Sequence, residues 1–439
     1  MTPGARWQAV VELLDDVASG GTADAAASSY FRQRRYIGSK DRAFIADQLF
    51  RQLRRRARLD WWITKVLERG ETAPPPAARH RVVAELVLDQ RWGAEQFTRA
   101  FDGQDHRPAP LSRAERLLLE TLRDQSLDHD EQPNWVRGEY PLWIEPQLNE
   151  IFGGDFDEIK ALNKPAPLDL RVNTLLGTRE HALKVLKEAG IEAVATPYSP
   201  IGIRVKGRPA LGSQEFFRAG LVEIQDEGSQ LVALLAETAP GQAVIDYCAG
   251  AGGKTLALAA QMANKGRLVA SDISEKRLER AVKRLRRAGV HNVEQRALTP
   301  DNAGWFKRQA GRFDRVLVDA PCSGTGTWRR NPDMKWKIGA TDVAELGLKQ
   351  ADILQTASKL VRPGGRLIYA TCSILPSENE EVIAAFLEHN PGFSVRSVQD
   401  IWPATAATPC PVDGQYLRLS PARHETDGFF AAILELKPL

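Results

Sequence analysis

The stretch AVIDYCAGAGGKT (243–255) decides the fold. Its first six residues, AVIDYC, are apolar but for Asp246 and include β-branched members, which reads as a strand, and TLALAAQM (255–262) reads as the helix that follows. Between them, Gly250, Gly252 and Gly253 permit a tight turn and close backbone approach to a ligand. The helix would offer its N-terminal N–H groups to the same ligand. A nucleotide triphosphatase loop, G-x-x-x-x-G-K-[ST], would need its first glycine at position 248, where Cys248 stands. That argues for a nucleoside-type cofactor in a Rossmann-like cleft instead.

The next strand, RLVASDI (267–273), carries Asp272 near its end, 20 residues after Gly252. A carboxylate there can accept hydrogen bonds from both hydroxyls of a ribose. The placement does not separate NAD from S-adenosylmethionine, and Asp272 equally suits a cap on the helix SEKRLERAVKRLRRAG (274–289). Strand and helix then alternate through FDRVLVDAP (313–321), a long helix at 342–360 and RLIYATCS (366–373). Such alternation builds a mostly parallel sheet with helices on both faces and ligands at the carboxyl ends of the strands.

Two cysteines fall at such ends, in VDAPCSGTG and YATCS, so Asp319, Cys322 and Cys372 are expected on one edge of the sheet. One cysteine alone would read as a small buried hydrophobe. Two of them, each followed by serine, point to thiolate chemistry. Carbon 5 of cytosine is a poor nucleophile, but thiolate addition at carbon 6 makes an enamine whose carbon 5 can attack an electrophilic methyl group. A carboxylate such as Asp319 can hold the N3/N4 edge of the ring and share a proton.

Upstream, LDLRVNTL (168–175), REHALKVLKEAG (179–190) and IGIRVKG (201–207) read as strand, helix and strand of a small α+β module. The first 130 residues read as helices: Trp7, Val10, Val11, Leu14 and Val17 recur at helical spacing, as do Ile45, Leu49, Leu53 and Leu59. ETAPPPAARH (71–80) breaks the helices, and HDEQPNW (129–135) marks a boundary. Hydrophobic residues make up 43% of the 439, and charged residues 26%, a globular balance. The 4 cysteines form no CxxC pair and the 7 histidines no ligand pattern, so neither a disulfide framework nor a metal site is expected. No signal peptide or 18-residue apolar run is visible, so a cytoplasmic protein without membrane contact is expected. Net charge is only +3, yet basic residues cluster at RQLRRRAR (51–58), at 274–287 and at WRRNPDMKWK (328–337). The clusters suit a nucleic-acid partner, although each also fits a solvated helix face.

DYCAGAGGKT, VLVDAPCSGTGTWRRNPDMKW, YATCSILPSENEEVI and DGFFAAILEL together resemble the NOP2/Sun family of RNA cytosine-5 methyltransferases, in its bacterial, RsmB-type branch that modifies small-subunit ribosomal RNA. LNKPAPLDLRVNTL (162–175) and EIQDEGSQLV (223–232) extend the resemblance. It implies a helical, NusB-like RNA-binding domain at 1–135, a small α+β, RRM-like positioning module at 136–232, and a Rossmann-like class I methyltransferase domain at 233–439. It implies Cys372 as nucleophile, Cys322 as the group that releases product, and Asp319 as the acid at the target cytosine. S-adenosylmethionine is the implied cofactor, held by Cys248, Ala249, Gly250, Gly252, Gly253, Lys254, Asp272 and Asp319. The family's adenine-contacting acid after the third strand is missing near Ala297 and Leu298, and Asp301 is the expected substitute. Arg329, Arg330, Lys335 and Trp336 are expected to line the RNA entrance. The implied partner is small-subunit ribosomal RNA, read by a monomer without metal. A DNA cytosine-5 methyltransferase using Cys322, or a non-catalytic RNA-binding assembly protein, stands as the alternative.

Overall fold

The computed structural model describes residues 1–70, 73–406 and 408–438, so Glu71 and Thr72 of the expected proline break lie outside the described residues. The chain divides into two compact units, one of residues 1–163 with 330–339 and one of residues 164–329 with 340–439.

The first unit is helical. Helices Pro3–Ala18, Ser39–Arg54 and Arg56–Val66 turn their apolar stripes inward, burying Trp7, Val10, Leu14, Ile45, Leu49 and Leu59. Pro3 sits at the first helical turn, where its missing N–H costs nothing, and Thr2 caps the helix. The unit does not stop near 135. Helices Asn134–Arg137, Glu145–Phe152 and Phe156–Ala161 continue it, and the segment 330–339 joins it. Glu139 lies buried, with its carboxylate accepting from the N–H groups of Ala57 (2.8 Å) and Arg58 (3.2 Å) at the start of a helix. The basic run 51–58 is largely ion-paired within the unit: Arg51 and Arg55 meet Glu85 and Asp89, and Arg58 meets Glu139 and Asp128.

The second unit holds two sheets. Strands β1 (Leu168–Val172), β2 (Ala193–Ala195), β3 (Gly202–Val205) and β4 (Val222–Ile224) pair antiparallel in the order β2-β3-β1-β4. With helices Arg179–Glu188 and Glu215–Arg218 this is a βαββαβ arrangement. The larger sheet contains β5 (Ala243–Asp246), β6 (Arg267–Asp272), β7 (Val293–Ala297), β8 (Phe313–Asp319), β9 (Val361–Thr371), β10 (Phe393–Arg396), β11 (Leu417–Leu419) and β12 (Phe429–Leu436). Its order is β10-β12-β9-β8-β5-β6-β7, with β11 also paired to β12. β5 to β9 are parallel, and β12 runs antiparallel to its neighbours. The sequence pattern shows the parallel core, whereas β10 and β11, of four and three residues, are too short to announce themselves.

The chain leaves β5 toward β6 on one side, while β8 pairs on the other. That reversal of strand order opens a crevice at the carboxyl ends. The small sheet is fastened beside this crevice. Arg171 of β1 donates to the Gly253 carbonyl (2.7 Å), and Asn173 donates to the carbonyls of Gly220 (3.1 Å) and Ala288 (2.9 Å). Arg284 and Arg287 pair with Glu223 of β4. Gly220 permits this approach, because a Cβ there would fall 2.3 Å from the Arg287 carbonyl oxygen.

Candidate active site

At the crevice, the turn after β5 enters helix Gly253–Gln261 through Gly252, whose φ of 80° is the left-handed conformation that glycine adopts freely. A Cβ on Gly252 would stand 2.9 Å from Cβ of Ala281, so a side chain would push away helix Glu275–Arg287. The Asp272 carboxylate holds the turn down, accepting from Gly250 N–H (2.9 Å) and Ser274 N–H (2.8 Å). Asp272 is therefore both a support for the turn and a cap, and it lines the cavity.

That cavity, about 660 Å³, is lined by Cys248, Ala249, Gly250, Gly253, Lys254, Asp272 and Asp319 of the expected residues, and by Asp246, which was not expected; Gly252 shapes the turn without lining it. Ile273, Leu298, Arg277, Arg284 and Asp352 line it too and were not expected. Ile273 directly follows Asp272 and leaves its apolar side chain 77% exposed at the cavity, a signal the sequence did carry. Asp301 is a correction. It stands exposed in the 3-10 turn Pro300–Asn302 and does not line the cavity, because Leu298 occupies the position after β7.

Lys254 stands among the carboxylates of the cavity. Lys254 Nζ donates to Asp319 Oδ2 at 2.6 Å. Burial works against the ammonium, but attraction from Asp319, Cys372 and Asp246 outweighs it and holds Lys254 protonated. Asp246 at the end of β5 is fully buried, and burial pushes its carboxyl up to about 7 despite a hydrogen bond from Thr255 (2.6 Å). Its Oδ1 has no hydrogen-bond partner among the described residues. The Cys248 thiol is pushed up by burial and by the Asp246, Asp319 and Asp272 charges, so it remains a thiol and no nucleophile.

At the ends of β8 and β9 the two cysteines of the Pro-Cys-Ser and Thr-Cys-Ser loops meet. Cys322 Sγ lies 3.4 Å from Cys372 Sγ. The hydrogen bond to Cys372, and then burial, raise the Cys322 thiol well above its ordinary value. Cys322 is therefore held as the thiol, in hydrogen-bond contact with the Cys372 sulfur. Backbone bonds knit the loops: Gly326 N–H donates to the Cys372 carbonyl (2.9 Å) and Gly428 N–H to the Gly326 carbonyl (2.9 Å).

Two of the four residues expected at an RNA entrance are placed otherwise. Arg329 is buried, donating to the Thr426 carbonyl (2.8 Å) and pairing with Asp427 (3.6 Å). Lys335 is buried in the helical unit, where its Nζ donates to the Glu139 carbonyl (2.9 Å) and Asn163 Oδ1 (2.6 Å). Burial brings its ammonium down to about 7. Both are corrections, since donors committed to interior oxygens are not offered to phosphate. Trp336 is half-buried under the Arg56 guanidinium, 5.2 Å from its ring centre, and Arg330 is half-buried. Exposed cations are found instead on helix Glu275–Arg287, at Lys276, Arg277, Arg280, Lys283 and Arg286. Among the described residues no group of side chains could hold a metal ion, and no helix is long and apolar enough to cross a membrane.

Residues 233–435 match the sequence model of the family described as 16S rRNA methyltransferase RsmB/F, and residues 140–211 match its ferredoxin-like domain. The chain is 31% identical over 405 residues to ribosomal RNA small subunit methyltransferase B of Salmonella paratyphi A, covering 91% of each chain. It is 32% identical over 423 residues to the protein of the same name from Klebsiella pneumoniae, again over 91% of each. Among solved structures, PH0851 superposes with a TM-score of 0.78 at 25% identity over 99% of both chains. A methyltransferase homologue from Pyrococcus horikoshii gives 0.58 at 29% identity, over 69% of this chain and 97% of its own. With the paired cysteine loops, the glycine turn and near full-length similarity in agreement, the chain belongs to the RsmB/F methyltransferase family.

Proposed function

We propose that this protein transfers a methyl group from S-adenosylmethionine to carbon 5 of a cytosine in RNA, with small-subunit ribosomal RNA as substrate. The observation that carries the reading is the thiol pair, Cys322 and Cys372 at 3.4 Å, beside the Lys254–Asp319 ion pair.

The cavity fits the cofactor. Asp246 Oδ1, buried and without a partner, can accept from the ammonium of its methionine end. Asp272 retains lone pairs for the ribose hydroxyls, and Ile273 with Leu298 offers apolar surfaces to the adenine ring. When bound there, S-adenosylmethionine would supply an electrophilic methyl group on a sulfonium. Lys254, held charged, orders Asp319 and leaves its second oxygen free for the N3/N4 edge of the cytosine.

Cys372 adds as thiolate to carbon 6 of the flipped-out base, forming the C–S bond and placing the electron pair on the ring. Asp319 relieves the charge that builds at N3. Once carbon 5 is methylated, its proton must leave, the C5–C6 double bond re-forms and the C–S bond breaks to return the Cys372 thiolate. Cys322 is the side chain placed beside that bond. Its thiol is raised first of all by the hydrogen bond to Cys372, and this cause disappears while Cys372 sulfur is bonded to carbon. Cys322 thus loses its own proton to solvent more readily in that step, and the resulting thiolate can take the carbon 5 proton.

The RNA backbone is met by the exposed cations of helix Glu275–Arg287. Incubation with methyl-labelled cofactor and small-subunit RNA, followed by base analysis, tests the reading: labelled 5-methylcytosine supports it, and label in any other base refutes it.

A further inference from the structure

Beneath the two cysteine loops lies a carboxylate that takes no part in the chemistry just described. Glu378 is fully buried and outside the cofactor cavity. Its Oε1 accepts from Ser323 N–H (2.8 Å) and Gln350 Nε2 (2.9 Å). Its Oε2 accepts from the hydroxyls of Ser323 (2.5 Å) and Ser373 (2.5 Å). These two serines directly follow Cys322 and Cys372, so one side chain grips both loops at the residue next to each thiol. Gln350 extends the grip by also donating to the carbonyl of Pro321, the residue before Cys322 (2.9 Å). On the other side Asn379 Nδ2 donates to the Ser373 carbonyl (2.9 Å), and Tyr369 Oη donates to the Glu378 carbonyl (2.6 Å), fixing the clamp to β9.

We propose that Glu378 is a positioning residue: its carboxylate locks the Pro-Cys-Ser and Thr-Cys-Ser loops in register and thereby sets the separation of the Cys322 and Cys372 thiols. A carboxylate is suited to this role because its two oxygens can accept all four of these donors at once. An apolar replacement would leave a backbone N–H and two hydroxyls buried without their acceptor, and the loops would part to find others. The arrangement matters most for release. Addition needs Cys372 alone, whereas release needs Cys322 held beside the bond that Cys372 has formed.

The inference rests on the cytosine methylation reading for its kinetic consequence, but its geometric content is tested without it. The protein is equilibrated with oxidised and reduced glutathione, and the Cys322–Cys372 disulfide is quantified by mass spectrometry. Two thiols are oxidised as one glutathione disulfide is reduced to two thiols, so the equilibrium constant reports the effective concentration of one cysteine at the other. Glu378→Ala is expected to lower that constant by about tenfold or more, and Glu378→Gln, which can accept from Ser323 N–H and donate to the hydroxyls, to restore it within about threefold. Should Glu378→Ala not fold, the Ser323→Ala/Ser373→Ala double variant, which removes only two hydroxyls, is expected to lower it in the same direction. An unchanged constant in the folded variants overturns the proposal.

With RNA, Glu378→Ala is expected to keep its affinity for S-adenosylmethionine, to lose kcat rather than KM, and to raise the ratio of covalent adduct to free methylated product. An unchanged ratio in a variant with reduced kcat also overturns it. Loss of thiol coupling in a protein whose wild type makes no 5-methylcytosine would leave the clamp standing and refute the methylation reading.

Discussion

Lys254 Nζ donates to Asp319 Oδ2 across 2.6 Å, joining residues 65 positions apart in sequence at the mouth of the cavity. The pair has one buried member and one that keeps about a third of its side chain in water. Removing the carboxylate strands a buried ammonium. Asp319→Ala should therefore cost about 2 kcal/mol of stability, less than a fully buried pair because Asp319 is partly hydrated. Asp319→Asn, which keeps an acceptor for Lys254, should cost less. Both should slow methyl transfer by about a hundredfold or more if Asp319 shares a proton with the ring. Thermal melts beside single-turnover kinetics separate the two effects, and equal kinetics in Asp319→Asn and wild type would remove the acid from the mechanism.

Asp246 supplies a pH dependence with a defined sign. Burial raises its carboxyl to about 7 in the folded protein, above its ordinary value of 3.8. The folded state then holds a proton that the unfolded state has lost, so this group's contribution to stability is full below pH 4 and declines as pH rises to 7. A cationic ligand end beside Oδ1 favours the ionised form. Affinity for S-adenosylmethionine should rise with pH up to about 7 and level off, with proton release on binding near pH 6. Calorimetry in buffers of different ionisation enthalpy measures that release. Asp246→Asn should abolish it.

The thiol pair separates the roles of the cysteines. Cys322→Ala should still add to RNA and methylate it but accumulate an adduct that survives denaturation. Cys372→Ala should give neither adduct nor 5-methylcytosine, and the double variant should match it, because an intermediate that never forms cannot accumulate. Denaturing gels with labelled RNA read this directly. An adduct in Cys372→Ala that disappears in Cys322→Ala would reverse the roles, as in the DNA-enzyme arrangement.

RNA affinity should depend on helix Glu275–Arg287 rather than on Lys335. Replacing the exposed Lys276, Arg280 and Lys283 by glutamine should weaken RNA binding and reduce the slope of log affinity against log salt by about 2. Cofactor affinity should hold, since these three side chains do not line the cavity. Lys335→Met should leave the salt slope intact and shift only the melting of the helical unit. Filter-binding titrations over a range of salt decide between the two.

Local pattern carried much of this protein. The strand-turn-helix at 243–255, the acid closing β6 and the two serine-following cysteines are legible because each depends on neighbours in sequence: alternation, apolar period and glycine conformations act over a few residues. The buried stripe of Trp7, Val10 and Leu14 was legible for the same reason.

Other features were decided only when distant segments packed. Charge clusters look alike in sequence whether solvated or interior, yet Arg329 and Lys335 are interior because carbonyls from residues 97 and 196 positions away reach them. The family resemblance put Asp301 forward as the substitute adenine contact, but it is Leu298, after β7, that lines the cavity. The order of the sheet brings β8 beside β9, and with it Cys322 beside Cys372 and Glu378 beneath both. The sequence alone determined which residues could do chemistry at strand ends. Tertiary structure decided which of them meet, because contact between residues 50 apart is set by the packing of whole strands and by the burial of their polar groups, not by the residues between them.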